Sequence, residues 1–309
     1  MYYKMDYGTF QREIQEMVKE GLKDKGDYTL SLYTTHKNNV TKSGLMISKK
    51  GKTTAPTIYL SDLYVDYMKG MPLSEISSQI IEFTQEHEIP ELLTENLSDY
   101  GKTKEKLRIR LVGREGNQAY LNEGIYRPHT MGAEVVYVEL ADRPEGRFSS
   151  RVTSFLIEQW GVPEQEVFET ALENSQEKEA IQFVSMAAET GRLLGLESPE
   201  EEPVEKNQLY IVSNPQRDHG AAVVLYPGGL EEIHRKMGGD FYILPSSVHE
   251  VLVMTKDSDF TPEELNRMVK DVNQNEVNPE ERLGNEVYEF LGETGTLQKC
   301  KVAEKERER

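Results

Sequence analysis

Three times along this chain an extended, β-like stretch runs into an amphipathic helix opened by proline, at Pro72, Pro163 and Pro262. Proline in the first helical turn forfeits no hydrogen bond, and its fixed φ suits the helix, so each one marks a start. Apolar patterns of period two and period 3.6 alternate along the chain around these points. The fold class expected is therefore α+β, with mixed β-sheets and peripheral amphipathic helices. Two of the upstream stretches also share a Met-Gly followed by a strand, Met131-Gly132-Ala133-Glu134-Val135-Val136-Tyr137 and Met237-Gly238-Gly239-Asp240-Phe241-Tyr242. Duplicated α+β units would produce this echo. So would coincidence, and the interval is too irregular for a solenoid.

Spacing assigns the individual elements. Phe10, Ile14, Met17, Val18 and Leu22 fall on one helical face of residues 10–22. Residues 27–34 and 40–48 read as strands around the turn residues at 37–39. A short helix over 62–69 follows Thr57–Leu60, and the helix from Pro72 to about Gln85 turns Ile76, Ile80, Ile81 and Phe83 inward. Leu107, Ile109 and Leu111 alternate with Arg108 and Arg110, which predicts a strand with a solvated arginine face. Val135–Leu140 is another strand, Arg151–Trp160 reads as helix, and a helix opens at Pro163. Strands are expected at 208–213, 221–226, 241–244 and 248–254, with helices over 230–237 and from Thr261, an N-cap followed by Pro262 and Glu263.

A length of 309 residues suggests about two domains. Residues 197–206, rich in Pro and Glu with one apolar side chain, have little to offset the entropy of ordering. They are expected as an acidic linker between residues 1–196, with a sub-boundary near 100, and a second domain over 207–300. A charged tail over 301–309 completes the chain.

Charge narrows the partners. The net charge is −18, and residues 151–205 hold thirteen glutamates against three basic side chains. Such a chain repels phosphate backbones on average, so nucleic acid is disfavoured and a protein with a basic surface is the expected partner. The first fifty residues run the other way, with nine basic and six acidic side chains. Lys19, Lys23, Lys25, Lys37, Lys49 and Lys50 there are the alternative, a small basic patch for nucleic acid. Cys300 is the one cysteine, which excludes an intramolecular disulfide and thiolate zinc clusters. No window reaches 18 apolar residues and no leader pattern opens the chain, so a cytoplasmic protein without membrane contact is expected.

The stretch Leu244-Pro245-Ser246-Ser247-Val248-His249-Glu250 carries two hydroxyls, an imidazole and a carboxylate. A serine nucleophile needs an adjacent base held by a third group. On a strand Ser247 and His249 would share a face and Glu250 would not, leaving Asp240 or Asp218 to orient the imidazole. Ser246, Ser247, His249 and Glu250 are thus the catalytic candidates, set against a plain Pro-Ser-Ser turn. His249-Glu250 opens like a zincin motif, but Val253 stands where the second ligand belongs, and no two histidines lie at ligand spacing. No metal and no cofactor is expected. The polar loop from Asn214 to Gly220 offers Arg217, Asp218 and His219 as binding candidates. Pro227-Gly228-Gly229 leads into a helix, yet Glu231 and Glu232 would repel a phosphate there.

The segments Ala221-Ala-Val-Val-Leu-Tyr-Pro-Gly-Gly-Leu-Glu-Glu-Ile, Gly239-Asp-Phe-Tyr-Ile-Leu-Pro-Ser-Ser-Val-His-Glu-Val and Thr261-Pro-Glu-Glu-Leu-Asn-Arg-Met-Val resemble an uncharacterised bacterial family, a domain of unknown function. Tyr59-Leu-Ser-Asp-Leu-Tyr-Val-Asp-Tyr is similar to it as well. Members of that family occur mainly in Gram-positive gut bacteria, often near mobile genetic elements. The resemblance implies a bacterial, intracellular, accessory protein and brings no activity. The first functional reading is a non-enzymatic binding or accessory protein of a mobile element. The alternatives are a hydrolase using Ser247 or Ser246 with His249, and a nucleic-acid-associated protein.

Overall fold

The computed structural model describes residues 4–51, 57–86, 96–143, 146–196 and 203–301. The chain divides into two compact units, Met1–Leu97 and Ser98–Arg309. No helix among the described residues is long and apolar enough to cross a membrane.

The first unit opens with α1 (Tyr7–Leu22), capped by Asp6, whose carboxylate accepts the Thr9 N–H at 2.9 Å. Phe10, Ile14, Val18 and Leu22 recur every fourth residue and are fully buried. Strands β1 (Tyr28–Lys37) and β2 (Val40–Lys49) form a hairpin turned by Asn38 and Asn39, the latter at φ 60°. β3 (Thr57–Tyr59) pairs with β2, and α2 (Leu60–Lys69) and α3 (Leu73–Glu86) follow. Leu45 and Ile47 of the sheet meet the buried stripes of all three helices. Phe83 departs from its expected inward position and is exposed. The stripe of α3 runs Ile76, Ile80, Thr84, and the Thr84 hydroxyl donates to the Ile80 carbonyl at 2.7 Å, so Phe83 falls on the flank.

The second unit begins with α4 (Tyr100–Thr103), a 3-10 turn over Lys104–Lys106 and β4 (Leu107–Val112). α5 (Gln118–Asn122), β5 (Tyr126–His129), β6 (Gly132–Arg143) and β7 (Gly146–Arg151) complete a four-stranded antiparallel sheet. β6 is its hub. β4 pairs along one edge, β5 and then β7 along the other, and the β6–β7 register slips between Glu139 and Ala141. Arg108 corrects the expected solvated face of β4, for it is 7% exposed. Its guanidinium meets Glu139 at 2.8 Å and donates to the carbonyls of Glu105 and Leu107, so the buried charge is paired and bonded.

α6 (Ser154–Trp160), α7 (Glu164–Lys178), β8 (Gln182–Ser185) and α8 (Met186–Leu193) lead to β9 (Tyr210–Ser213). Beyond a 3-10 helix over Gly220–Leu225 lie α9 (Gly229–Met237), β10 (Phe241–Leu244), β11 (Val251–Thr255), α10 (Pro262–Asn275), β12 (Tyr288–Leu291) and β13 (Thr296–Lys299). The six strands run in the order β13-β12-β10-β11-β9-β8, each antiparallel to its neighbour. α10, held by a reciprocal capping box of Thr261 and Glu264, lays Leu265 and Val269 on Tyr242, Leu244 and Met254.

Three expectations are revised here. The strand expected at 221–226 is the 3-10 helix. Ala221 to Val224 are all buried, and a run apolar on every side does not distinguish strand from helix. β11 starts at Val251, so Val248, His249 and Glu250 belong to a loop. Residues 197–202 of the expected linker lie outside the described residues. The stretch as a whole does not separate two sheets, because β8 before it pairs with β9 after it, Phe183 opposite Val212. The tail from 302 onward also lies outside the described residues.

Candidate functional site

Two loops of the second unit meet at the ends of β9 and β10. One runs from Asn214 to His219 and the other from Pro245 to Glu250. The first is folded on itself by Asn214. Its side-chain oxygen accepts the Asp218 N–H at 3.1 Å, and its amide donates to the Asp218 carbonyl at 2.9 Å and to Glu179 at 2.7 Å. This closure holds Arg217 at φ 51° and His219 at φ 53°, left-handed backbone that costs about 1–2 kcal/mol per non-glycine residue. Arg217 is anchored in turn, donating to Glu189 of α8 at 2.7 Å. Glu189 also accepts from Arg192 at 2.8 Å. The Arg192 hydrogen bonds, with those of Arg217, hold the Glu189 carboxyl down at about 2.

The second loop presses its backbone on the first. The Ser213 hydroxyl donates to the His249 carbonyl at 2.7 Å, and the His219 N–H donates to His249 Nδ1 at 3.2 Å. Gly220 sits in the crossing. A β-carbon there would stand 2.6 Å from the Asn214 nitrogen and 2.7 Å from the His249 oxygen, both backbone, so no larger residue fits.

The candidate triad does not assemble. Ser247 lies in the loop, bridged to Arg282, and its hydroxyl accepts the backbone N–H of His249 at 3.0 Å. Ser246 is 6% exposed, with its carbonyl taken by the Leu283 N–H. Among the described residues no hydrogen bond joins either hydroxyl to the imidazole. His249 Nδ1 accepts a backbone proton, which assigns the ring proton to Nε2 and leaves its basic nitrogen occupied. Its carboxylate neighbours are Asp218, 3.7 Å from Nδ1, and Glu281, 3.9 Å from Nε2. Asp240 attends His234 instead, at 3.4 Å, and Glu250 makes no ion pair with His249.

The binding candidates do come together. Asp218 lies 3.8 Å from His219 Nε2 as well as near His249, and the two imidazoles are 5.4 Å apart between ring centres. Glu179, Glu189 and Glu281, which help fix this arrangement, carry no local sequence signal and act from distant stretches of chain, whereas Asn214 closes its own loop on Asp218. No group of three or more His, Cys, Asp or Glu side chains among the described residues is placed to hold a metal ion.

The alternative, an N-terminal basic patch, does not bring all its lysines together, for Lys37 stands far from Lys49 and Lys50. Tyr28 pairs with Lys49 at one end of the β1–β2 hairpin and Lys37 with Val40 at the other. A ten-residue strand puts those ends about 30 Å apart. Lys23 and Lys50 are matched to Glu20 and Asp27 at 3.3 and 3.2 Å.

Comparison with known proteins places this geometry in context. A family model described as a family of unknown function (DUF5688) matches residues 7–291. No curated protein and no solved structure matches.

Proposed function

The chain belongs to the DUF5688 family, a family of unknown function, and on that premise we propose that it is a non-enzymatic binding protein. Its contact surface is the pair of loops around Arg217, Asp218, His219 and His249, and its partner is a protein with a basic surface. One observation carries the reading. The groups that would do chemistry are spent on shaping the platform, Ser247 on the His249 N–H and His249 Nδ1 on the His219 N–H. Backbone held in a costly conformation by charged anchors is what a preorganised recognition loop needs.

Charge supports the choice of partner. Asp218 and Glu281 stand at the platform with side chains 31% and 46% exposed. α7 leads to Glu179, which grips the first loop, and it exposes Glu164, Glu166, Glu169, Glu173 and Glu177 without a cationic partner among the described residues.

The test is fluorescence anisotropy of a labelled oligo-arginine peptide with wild type, Asp218→Asn and Glu281→Gln. Binding that fades with added salt and weakens in both variants is expected. Indifference to salt and to both substitutions overturns the reading. So does hydrolysis of an ester, peptide or phosphate substrate that is lost in His249→Ala.

A further inference from the structure

A cleft of about 360 Å³ in the second unit is lined by Lys106, Arg108, Arg110 and Lys178 together with Glu139 and Glu179. We propose that it is a binding site for a small ligand carrying two or more oxyanion groups, carboxylate or phosphate. This goes beyond the loop platform and stands independently of it.

Strand geometry builds the site. Arg108 and Arg110 are two apart on β4, so their side chains share one face; Lys106 joins them from the 3-10 turn before the strand and Lys178 from the last turn of α7. The four cations divide into one structural residue and three available ones. Arg108 is consumed by Glu139 and two carbonyls. Arg110 lies 4.0 Å over the Tyr137 ring and donates to the Ser149 hydroxyl at 3.1 Å. Both contacts fix the guanidinium, and neither neutralises it. Lys178 donates to the Glu105 carbonyl at 2.9 Å, again a neutral partner. Lys106 is exposed and has no ion pair among the described residues. In a chain with 54 acidic and 36 basic side chains, three cations without a carboxylate partner among the described residues, around one depression, form a local field opposed to that of the whole molecule.

Size sets the class of ligand. About 360 Å³ lies at the small end of metabolite pockets, and the net charge of −18 opposes a nucleic-acid strand. A guanidinium held in place by a ring and a hydroxyl presents its remaining N–H groups to a planar or tetrahedral oxyanion without reorganising.

Isothermal titration of the full chain with inorganic pyrophosphate and, separately, with citrate tests the proposal and tells phosphate from carboxylate. Saturable one-site binding of either anion is expected, weakened about tenfold or more in Arg110→Gln and in Lys106→Gln. Lys270→Gln, an exposed lysine of α10 outside the cleft, should bind as wild type does. Lys106 is exposed, so its variant keeps the test valid if Arg110→Gln fails to fold. Absence of binding by both anions overturns the proposal. So does binding that Lys106→Gln leaves unchanged or that Lys270→Gln weakens equally. Capture of a poly-glutamate peptide where neither small anion binds would make the cleft a protein interface and would overturn it too.

Discussion

Arg217 donates to Glu189 across 2.7 Å, tying a loop residue with left-handed backbone to the first turn of α8. Glu189→Gln should therefore loosen the 214–219 loop. Both guanidiniums are partly solvated, so the cost is small, about 1 kcal/mol in urea unfolding. Faster amide exchange confined to residues 214–220 is the more telling readout.

The same carboxylate predicts an acid response. Its pKa in the folded chain is about 2, against an ordinary value of 4.5, because the Arg192 and Arg217 hydrogen bonds favour the charged form. A depressed carboxylate contributes fully above its unfolded pKa and loses that contribution as pH falls toward the folded one. Wild type should lose stability relative to Glu189→Gln between pH 4.5 and about 2, and the two should run parallel above 4.5. Parallel curves through the acid range would refute this.

Ser247→Ala removes the acceptor of the His249 N–H. A part-buried donor left unmatched should cost about 1–2 kcal/mol by chemical denaturation. The larger effect is expected at Gly220. In Gly220→Ala the new methyl meets the Asn214 and His249 backbones, and neither can yield like a side chain. About 1–3 kcal/mol of destabilisation and earlier proteolytic nicking of the 245–250 loop should follow.

Cys300 packs among Tyr242, Met254 and Leu265. Burial pushes its thiol up to about 12. Reaction with a thiol reagent at pH 8 should be slow in the native chain and should accelerate on denaturation, because the thiolate is the reactive form. Rapid native labelling would contradict the buried position.

Much of the fold was legible because its signals are local. The cap at Thr261, the Asn38-Asn39 turn and the fourfold spacing of Phe10, Ile14, Val18 and Leu22 each act within a few residues. Two failures have different causes. Ala221–Val224 are buried on every side, and full burial erases the contrast from which periodicity is read. On β4 the alternation was legible, but Arg108 is buried by its pairing with the distant Glu139, which no local pattern announces. In the candidate site, sequence brought Arg217, Asp218, His219 and His249 into view as two separate stretches. It could not join them, since the contacts that do so, Ser213 and His219 on His249, span 36 and 30 residues, and Glu179 and Glu189 brace the first loop from 35 and 28 residues away. Arg110 was visible as a charge. Its ring and hydroxyl supports, Tyr137 and Ser149, arrive only through the pairing of β4 and β7 with β6.

The register slip in β6 sets a limit on how this chain can vary in length. Leu140 is the supernumerary residue opposite β7, flanked by Glu139 and Ala141, and all three border the cleft. Deleting it would give a more regular ladder and a flatter sheet, yet it would narrow the recess and draw Glu139 away from Arg108. The irregular spot is thus the one place in that strand where a shorter and tidier sequence would undo what the arginine row is held for.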